Sequence, residues 1–403
     1  MRQTICCLEP VLAPYSVPRF RALQALRRDI AVEVMALGAT ERIREWQVSK
    51  SELGFAYAEA VPGKVLETCD SRLVSAGVIR WLDEQDPAAV VITGYYYPAM
   101  RAAARWAKRH GRLSIYMGDT QWVDHRRNPV KEWIKGQWVR RHFDAAFVAG
   151  ARAASYLQRL GLPLDRIWTG YDVVDNEAFA EAVSIVRARA DEDGRSLGLP
   201  ERCFLFVGRF SPEKNLPRLI DAYAAYRREA GRQAWGLVLV GGGPQDDLLR
   251  RRAQATDGIV FAGFQQADRL AAYYASASCL VLPSLSETWG LVVNEAMAAG
   301  LPVLVSHRCG CVPELVRQGW NGYVCDPLDV AGMARAMAVL SSPAVHLEAM
   351  GAASKRLVSL YTPETWAHGL ADCLEQTALR TRRSAAAPVF SSPGLINTEK
   401  SVS

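Results

Sequence analysis

The chain has 403 residues, more than one ordinary hydrophobic core accommodates, so two domains are expected. Half of the residues are hydrophobic, 22% are charged and 9% are aromatic, which is typical of a folded globular protein and excludes a disordered or fibrous one. The net charge of +6 is modest for this length and does not indicate a nucleic-acid partner.

Cysteine usage and the N-terminal residues predict a cytoplasmic protein. The nine cysteines form no C-x-x-C pair, so neither a zinc site nor a disulfide framework is expected, and a reducing compartment fits better. Glu9 and Pro10 interrupt the short apolar segment after Arg2, unlike the pattern of a signal peptide. No apolar run reaches the roughly 18 residues of a membrane span, which leaves a peripheral position at the cytoplasmic membrane face open.

The first half of the chain alternates short apolar runs with amphipathic stretches. The apolar runs are continuous, as in strands of a parallel sheet that helices cover on both faces. This alternation predicts a doubly wound, Rossmann-like α/β domain over residues 1–178. The predicted strands are Thr4–Leu8, Ala31–Leu37, Ala88–Thr93, Leu113–Met117 and Ala145–Ala149, and the predicted helices include Arg72–Glu84, Pro98–His110 and Ala151–Leu160.

A second doubly wound domain is predicted over residues 202–362, after an interdomain connection at 179–201. We expect a helix over about residues 363–380 to pack back on the first domain, and the aperiodic residues 381–403 to be disordered. Neither domain contains G-x-G-x-x-G, so a dinucleotide cofactor is not indicated. The two domains should face a central cleft at the carboxyl ends of their strands, where ligands bind. The predicted strands here are Cys203–Gly208, Gly236–Gly241, Ile259–Phe261, Cys279–Leu282 and Pro302–Val305.

Two glutamates lie eight positions apart after the predicted strand Cys279–Leu282. Glu287 precedes a helix predicted to begin near Trp289, and Glu295 lies inside it, roughly 12 Å further along the axis. The unpaired N–H groups between the two carboxylates favour an anion. Hydroxyls at both ends and phosphates in the middle are the layout of a nucleotide sugar, with Glu295 at the ribose and Glu287 at the transferred sugar. The alternative is that Glu287 only starts the helix and Glu295 is solvated.

Two cations follow the predicted strand Cys203–Gly208. Arg209 and Lys214 offer a guanidinium fork and a mobile ammonium, as a diphosphate site needs. They would stabilise the charge that grows on a diphosphate as a glycosidic bond breaks. The alternative is that both are solvated loop charges.

Taken together, these motifs resemble glycosyltransferase family 4. The resemblance keeps a consistent order over roughly Phe204–Asp326, and it implies the two-domain GT-B fold, retaining transfer from a nucleoside-diphosphate sugar, and no dedicated metal or cofactor. The motifs that carry it are Arg209…Lys214, Gly241-Gly-Gly-Pro244, Gly263-Phe264, Pro283-Ser284, Glu287-x7-Glu295 followed by Ala-Met-Ala-Ala-Gly-Leu-Pro-Val, Gly310-Cys-Val-Pro-Glu314 and Asn321-Gly-Tyr-Val.

The resemblance implies that the second domain holds the donor. The residues concerned are Arg209 and Lys214 for the diphosphate, Glu287 and the backbone of Trp289, Gly290, Leu291 and Val292 for the sugar and phosphate, Glu295 for the ribose, and Gly263 and Phe264 for the base. Gly241 and Gly243 belong to the same matched pattern and are also expected to bind the donor substrate.

The first domain resembles the family less closely. A histidine is common in the family near the end of the strand predicted at Leu113–Met117, whereas this chain has Tyr116-Met-Gly-Asp119. Asp119 either takes that place near the reacting sugars or caps the following loop. The stretch Tyr95-Tyr-Tyr97 either lines an acceptor site or packs as an aromatic cluster.

The segment Arg126–Phe143 is strongly basic. Six arginines and lysines stand against Glu132, a net +5 that is nearly the whole excess of the chain. A helix here would place Val130, Ile134 and Trp138 on one face. That helix either docks on an anionic membrane surface or uses its apolar face to pack on its own sheet, and the two can coexist.

The sequence therefore predicts a retaining hexosyltransferase of polysaccharide or glycoconjugate biosynthesis. Its expected partners are a nucleotide-sugar donor and a glycan acceptor, lipid-linked or not, and no nucleic acid. The rivals are a GT-B sugar-nucleotide epimerase and a catalytically silent partner subunit. A silent subunit would need none of the four charged donor-site residues Arg209, Lys214, Glu287 and Glu295.

Overall fold

The computed structural model describes residues 2–42, 48–51, 53–189 and 197–386, which form two parallel sheets. The first sheet has the order β3-β2-β1-β4-β5-β6-β7 and the second the order β10-β9-β8-β11-β12-β13. The strands are β1 (Gln3–Glu9), β2 (Ile30–Thr40), β3 (Ala56–Val65), β4 (Ala89–Thr93), β5 (Leu113–Gly118), β6 (Ala145–Val148), β7 (Ile167–Thr169), β8 (Cys203–Val207), β9 (Gly236–Val240), β10 (Ile259–Gly263), β11 (Cys279–Leu282), β12 (Val303–Ser306) and β13 (Gly322–Cys325).

Helices cover both sheets. They are α1 (Ser16–Leu26), α2 (Ser71–Gln85), α3 (Pro98–Arg109), α4 (Pro129–His142), α5 (Ala151–Arg159), α6 (Asn176–Ala188), α7 (Leu216–Ala230), α8 (Asp246–Ala253), α9 (Ala267–Ser276), α10 (Leu291–Ala298), α11 (Val312–Leu315), α12 (Val330–Ser341), α13 (Leu347–Val358) and α14 (Pro363–Ala386). In the described ranges, none of them is long and apolar enough to cross a bilayer.

The central strands are buried on both faces, as their continuous apolar sequences predict. Every residue of β6, β8, β9, β11 and β12 is buried, and each described strand pairing is parallel. The predicted fold class, two doubly wound α/β domains, is therefore confirmed. The strands that the sequence does not predict, β3, β7 and β13, lie at sheet edges, where a weak apolar pattern suffices because one side is unpaired.

The last helix packs on the first sheet. The Trp366 ring lies edge-on to Phe20 at 5.5 Å and close to Phe147 at 5.8 Å, so α14 belongs to the core of the first domain. The helix runs to Ala386, so the prediction of a disordered tail is wrong for residues 381–386. Residues 387–403 and the middle of the predicted connection, 190–196, lie outside the described ranges.

The carboxyl ends of the two sheets face each other, and side chains bridge them. Glu314 accepts a hydrogen bond from the backbone N–H of Ala151, the first residue of α5, at 2.6 Å. Arg152 donates to the carbonyl oxygen of Cys309 at 2.9 Å. These contacts join the loops of both domains around one cleft.

Candidate functional site

The loops after β8 and β11 meet on the second-domain side of the cleft. Lys214 forms an ion pair with Glu287, and Ser284 Oγ donates to the same carboxylate oxygen at 3.2 Å. Asn215 is buried with a φ of 61°, and its Nδ2 donates to the carbonyl oxygen of Pro283 at 3.1 Å. Lys214, which is predicted to bind the diphosphate, and Glu287, which is predicted to bind the sugar, are therefore in direct contact.

Arg209 and the glycine-rich loop after β9 border this site. Arg209 is exposed at the carboxyl end of β8. A Cβ atom on Gly241 would lie 1.9 Å from the carbonyl oxygen of Gly208, and one on Gly243 would lie 2.7 Å from that of Phe210. Only glycine lets the two loops approach so closely, which accounts for the Gly241–Gly243 pattern.

The N-terminus of α10 lies between the two predicted glutamates. The helix begins at Leu291, two residues later than predicted, because Gly290 adopts a φ of 106° and breaks the helical geometry. The Trp289 side chain is buried and donates through Nε1 to Asn294 Oδ1 at 2.9 Å. Backbone groups and the half-buried Leu291 and Val292 therefore form the mouth of this helix.

Glu295 is half-buried inside α10 and has one polar partner that the sequence did not indicate. Tyr274 Oη, from α9, donates to Glu295 Oε2 at 2.6 Å, and the Tyr274 ring packs edge-on to Phe179 at 5.1 Å. Burial raises the pKa of the Glu295 carboxyl to about 7, and the Tyr274 hydroxyl opposes this shift. Tyr274 therefore holds the Glu295 carboxylate in place.

Replacement of Glu295 should stabilise the fold at alkaline pH. The raised pKa of Glu295 means that the unfolded chain loses this proton between pH 4.5 and about 7 while the folded chain retains it, so stability falls over this window as pH rises. We expect Glu295→Gln to raise the Tm relative to wild type at about pH 8, with a smaller gain near pH 5. Glu348→Gln, on the exposed side of α13, is the control and should show no such pH-dependent gain. An equal Tm difference at both pH values would contradict the burial of an ionised Glu295.

The residues predicted near the base lie at one end of the second sheet. Gly263 is the last residue of β10, and the next residue, Phe264, exposes 56% of its surface. An aromatic ring this exposed next to a strand end is available to a planar ligand.

Asp119 reaches across the cleft from the end of β5. Its Oδ2 accepts a hydrogen bond from Thr288 Oγ1 at 2.6 Å, next to Glu287 in the chain. Two residues on, Gln121 Nε2 donates to the carbonyl oxygen of Glu287 at 2.6 Å. Asp119 therefore lies at the domain interface beside the Lys214–Glu287 pair. Its contact with Thr288 joins the two domains, so Asp119 does more than cap its own loop.

A buried pair, Arg19 and Asp172, lies in the first domain and was not predicted from the sequence. Arg19 donates through Nε and Nη2 to the carbonyl oxygen of Val173, at 3.1 and 2.6 Å, and Nη2 lies 3.7 Å from Asp172 Oδ1. Burial, followed by the neighbouring Asp119 charge, raises the pKa of Asp172 well above its usual range. The only sequence signal was the position of Asp172 just after a strand too short to predict.

The three tyrosines after β4 divide between the two predicted roles. Tyr95 packs with Tyr116 and Trp138, as a core aromatic cluster does. Tyr97 donates to Glu41 at 3.1 Å, and Tyr96 is 83% exposed. Only Tyr96 is placed to meet a partner from solution.

No metal centre is apparent in the part of the chain that the structure describes. Within those ranges, no three His, Cys, Asp or Glu side chains are grouped to hold an ion.

Two parallel-sheet domains that face each other across a cleft define the GT-B class, and solved structures agree. HepE of Anabaena, solved in complex with UDP and glucose, is 16% identical with a TM-score of 0.72, over 93% of this chain and 100% of that chain. Sucrose-phosphate synthase from Thermosynechococcus elongatus is 18% identical with a TM-score of 0.68, over 96% and 100% of the two chains. At such identities the likeness establishes the fold alone.

Residues 201–342, in the second domain, match the family model described as glycosyl transferases group 1. A D-inositol 3-phosphate glycosyltransferase of Acidothermus cellulolyticus is 33% identical over 204 residues, 48% of this chain and 45% of its own length. A sulfoquinovosyl transferase of Arabidopsis thaliana is 32% identical over 217 residues, 53% and 38% of the two lengths. The chain thus spans less than half the length of these curated relatives. The resemblance to GT-B glycosyltransferases is confirmed.

Proposed function

We propose that the protein is a retaining glycosyltransferase that moves a hexose from a nucleoside-diphosphate sugar to a glycan hydroxyl. The observation that carries the proposal is the convergence of Lys214, Glu287 and Asp119 at the mouth of the helix that contains Glu295. A cation, backbone N–H groups and two carboxylates in this order match the parts of a nucleotide sugar.

In this proposal the second domain holds the donor. Lys214 and Arg209 bind the diphosphate and stabilise the charge that it gains as the glycosidic bond breaks. Glu287 accepts hydrogen bonds from the sugar, and Glu295, held by Tyr274, accepts those of the ribose diol. The base lies near Gly263 and Phe264. No metal or cofactor takes part, and retention of the anomeric configuration is carried over from the family resemblance.

The acceptor approaches from the first domain, with Asp119 at the reacting end. We propose a lipid-linked glycan in polysaccharide or glycoconjugate biosynthesis, with the enzyme at the cytoplasmic face of a membrane. The support is the chain path: the loop that carries Asp119 continues directly into the basic segment Arg126–Phe143.

The test measures nucleoside-diphosphate release from purified protein with a panel of nucleotide sugars, first without and then with candidate acceptors. UDP-glucose is the first donor to test, because HepE was solved with it. We expect release to depend on acceptor, and NMR of the product to give the anomeric configuration of the donor. An inverted product would remove the retaining mechanism while leaving glycosyl transfer.

The same assay separates the rival functions. A sugar-nucleotide epimerase would change the sugar of the donor without any acceptor. A silent subunit would neither release nucleoside diphosphate nor alter the donor. Either result would overturn the proposed transfer.

A further inference from the structure

The helix α4 (Pro129–His142) exposes several of its large apolar side chains to solvent, whereas an ordinary domain helix buries such residues. Its buried residues are Glu132, Gly136 and Val139, whereas Val130, Trp133 and Ile134 expose 66%, 66% and 55% of their surface. The alternative that Val130 and Ile134 pack on the sheet is therefore wrong, although their neighbour on that face, Trp138, is half-buried. Large apolar side chains at i, i+3 and i+4 form one exposed stripe over the first turns.

The contacts of the inner face fix this orientation. Glu132 accepts hydrogen bonds from Tyr156 Oη at 2.7 Å and Lys135 Nζ at 2.8 Å. A Cβ atom on Gly136 would lie 2.7 Å from the carbonyl oxygen of Leu160, so the helix is pressed against the end of α5 at this point. A rotation that buried Val130 and Ile134 would break these contacts, and the exposed stripe is therefore built into the fold.

Both α4 and the helix α3 that it contacts are rich in cations. In α3 (Pro98–Arg109) four arginines and lysines occur without any acidic residue, and α4 adds four more. The pKa of His142 is lowered first by burial and then by the charges of Arg105, Arg141 and Lys108, so cations of both helices lie near the C-terminal end of α4. The basic surface is thus wider than the segment Arg126–Phe143 that the sequence indicates.

We propose that the outer face of α3 and α4 docks on an anionic lipid bilayer, with Val130, Trp133 and Ile134 inserted at the level of the head groups. A nucleic acid would use the cations, but aliphatic Val130 and Ile134 neither stack on bases nor bind phosphates. A bilayer uses both features, because apolar side chains enter the acyl boundary while arginine and lysine contact anionic head groups.

This surface is connected to the cleft. Arg127 donates to the carbonyl oxygens of Gln121 and Trp122, and Gln121 contacts the second domain at Glu287. A docked α4 would therefore place the acceptor side of the cleft beside the bilayer. This consequence rests on the proposed function, whereas the lipid contact itself does not, and the two are measured separately.

The experiment is sedimentation with vesicles of phosphatidylcholine alone or with 30% phosphatidylglycerol, at low and high salt. We expect wild type to bind only the anionic vesicles and to be released by salt. The apolar variant Val130→Ser/Trp133→Ser/Ile134→Ser should lose at least tenfold in partitioning. The charge variant Lys131→Gln/Arg140→Gln/Arg141→Gln should lose about 10²-fold, at roughly fivefold per cation.

Matched controls lie on the second domain. Leu360→Ser removes an equally exposed apolar side chain, and Arg228→Gln/Arg232→Gln/Arg251→Gln removes three exposed cations; both should bind vesicles as wild type does. All variants should keep wild-type Tm and nucleoside-diphosphate affinity, so that loss of lipid binding is distinct from failure of the donor site.

Three outcomes would overturn the proposal. Wild type could ignore anionic vesicles at low salt, or the apolar variant could bind them as tightly as wild type. Tighter binding to an oligonucleotide than to anionic vesicles would assign the surface to nucleic acid instead.

Discussion

Arg209→Ala and Lys214→Ala should each lower kcat by about 10²–10³, the usual effect of removing one charge contact to a transition state. Both cations lie at the carboxyl end of β8, beside the helix mouth proposed for the diphosphate. The measurement is steady-state turnover with saturating donor and acceptor.

The two variants differ in their expected effect on the fold. Lys214 is paired with Glu287, so Lys214→Ala also leaves a largely buried carboxylate without its cation and should lower the Tm. Arg209 is exposed, so Arg209→Ala should keep the wild-type Tm. Arg228→Ala, an exposed arginine of α7, is the control for charge alone. If both site variants turned over at near-normal rates, the diphosphate assignment would be wrong.

The central strands of the sheets are predictable because burial on both faces requires a continuous run of apolar residues in the sequence. β8 and β11 have no polar side chain, and their predicted bounds match the observed ones within a residue. The edge strand β3 (Ala56–Val65) includes Glu59, Lys64 and a proline, and most of its residues are only partly buried. Its pairing with β2 comes from long-range contacts that no local pattern records.

In the candidate site, too, some features follow from local sequence and others depend on long-range packing. Arg209, Lys214, Glu287 and Glu295 are close in sequence to predictable strands and helices, so their relative positions follow from the fold of one domain. The contact of Asp119 with Thr288 and the hydrogen bond of Tyr274 to Glu295 join residues 169 and 21 positions apart. They depend on how domains and helices pack, which the sequence pattern does not encode.

Orientation of α4 is a third case. The spacing of Val130, Ile134 and Trp138 fits an inward-facing stripe as well as an outward-facing one. The small Gly136 and the hydrogen-bonded Glu132 decide the matter, because they fit the close approach to α5. Hydrophobic periodicity shows which residues share one face of a helix, but it does not show whether that face points to the core or to the solvent.

The two glutamates should be separable by ligand. We expect Glu287→Gln to lower kcat by about 10² and to weaken binding of the nucleotide sugar, because Glu287 is proposed to contact the sugar. The affinity for nucleoside diphosphate should change much less, and only through the loss of the ion pair between Glu287 and Lys214. Glu295→Gln should weaken both ligands by about tenfold or more, because the ribose is common to both. Calorimetric titration of each variant with nucleoside diphosphate and with nucleotide sugar gives the four affinities.

The pH dependence provides an internal check on the same pair. Ligand binding that needs ionised Glu295 should weaken below about pH 7, where its carboxyl takes up a proton in the free protein. The nucleoside diphosphate itself also titrates, so wild type and Glu295→Gln are compared at each pH, and the ratio of their affinities should fall toward one as the pH decreases. Glu348→Gln should follow wild type throughout. A constant ratio, or a wild-type nucleoside-diphosphate affinity in Glu295→Gln, would exclude the ribose contact.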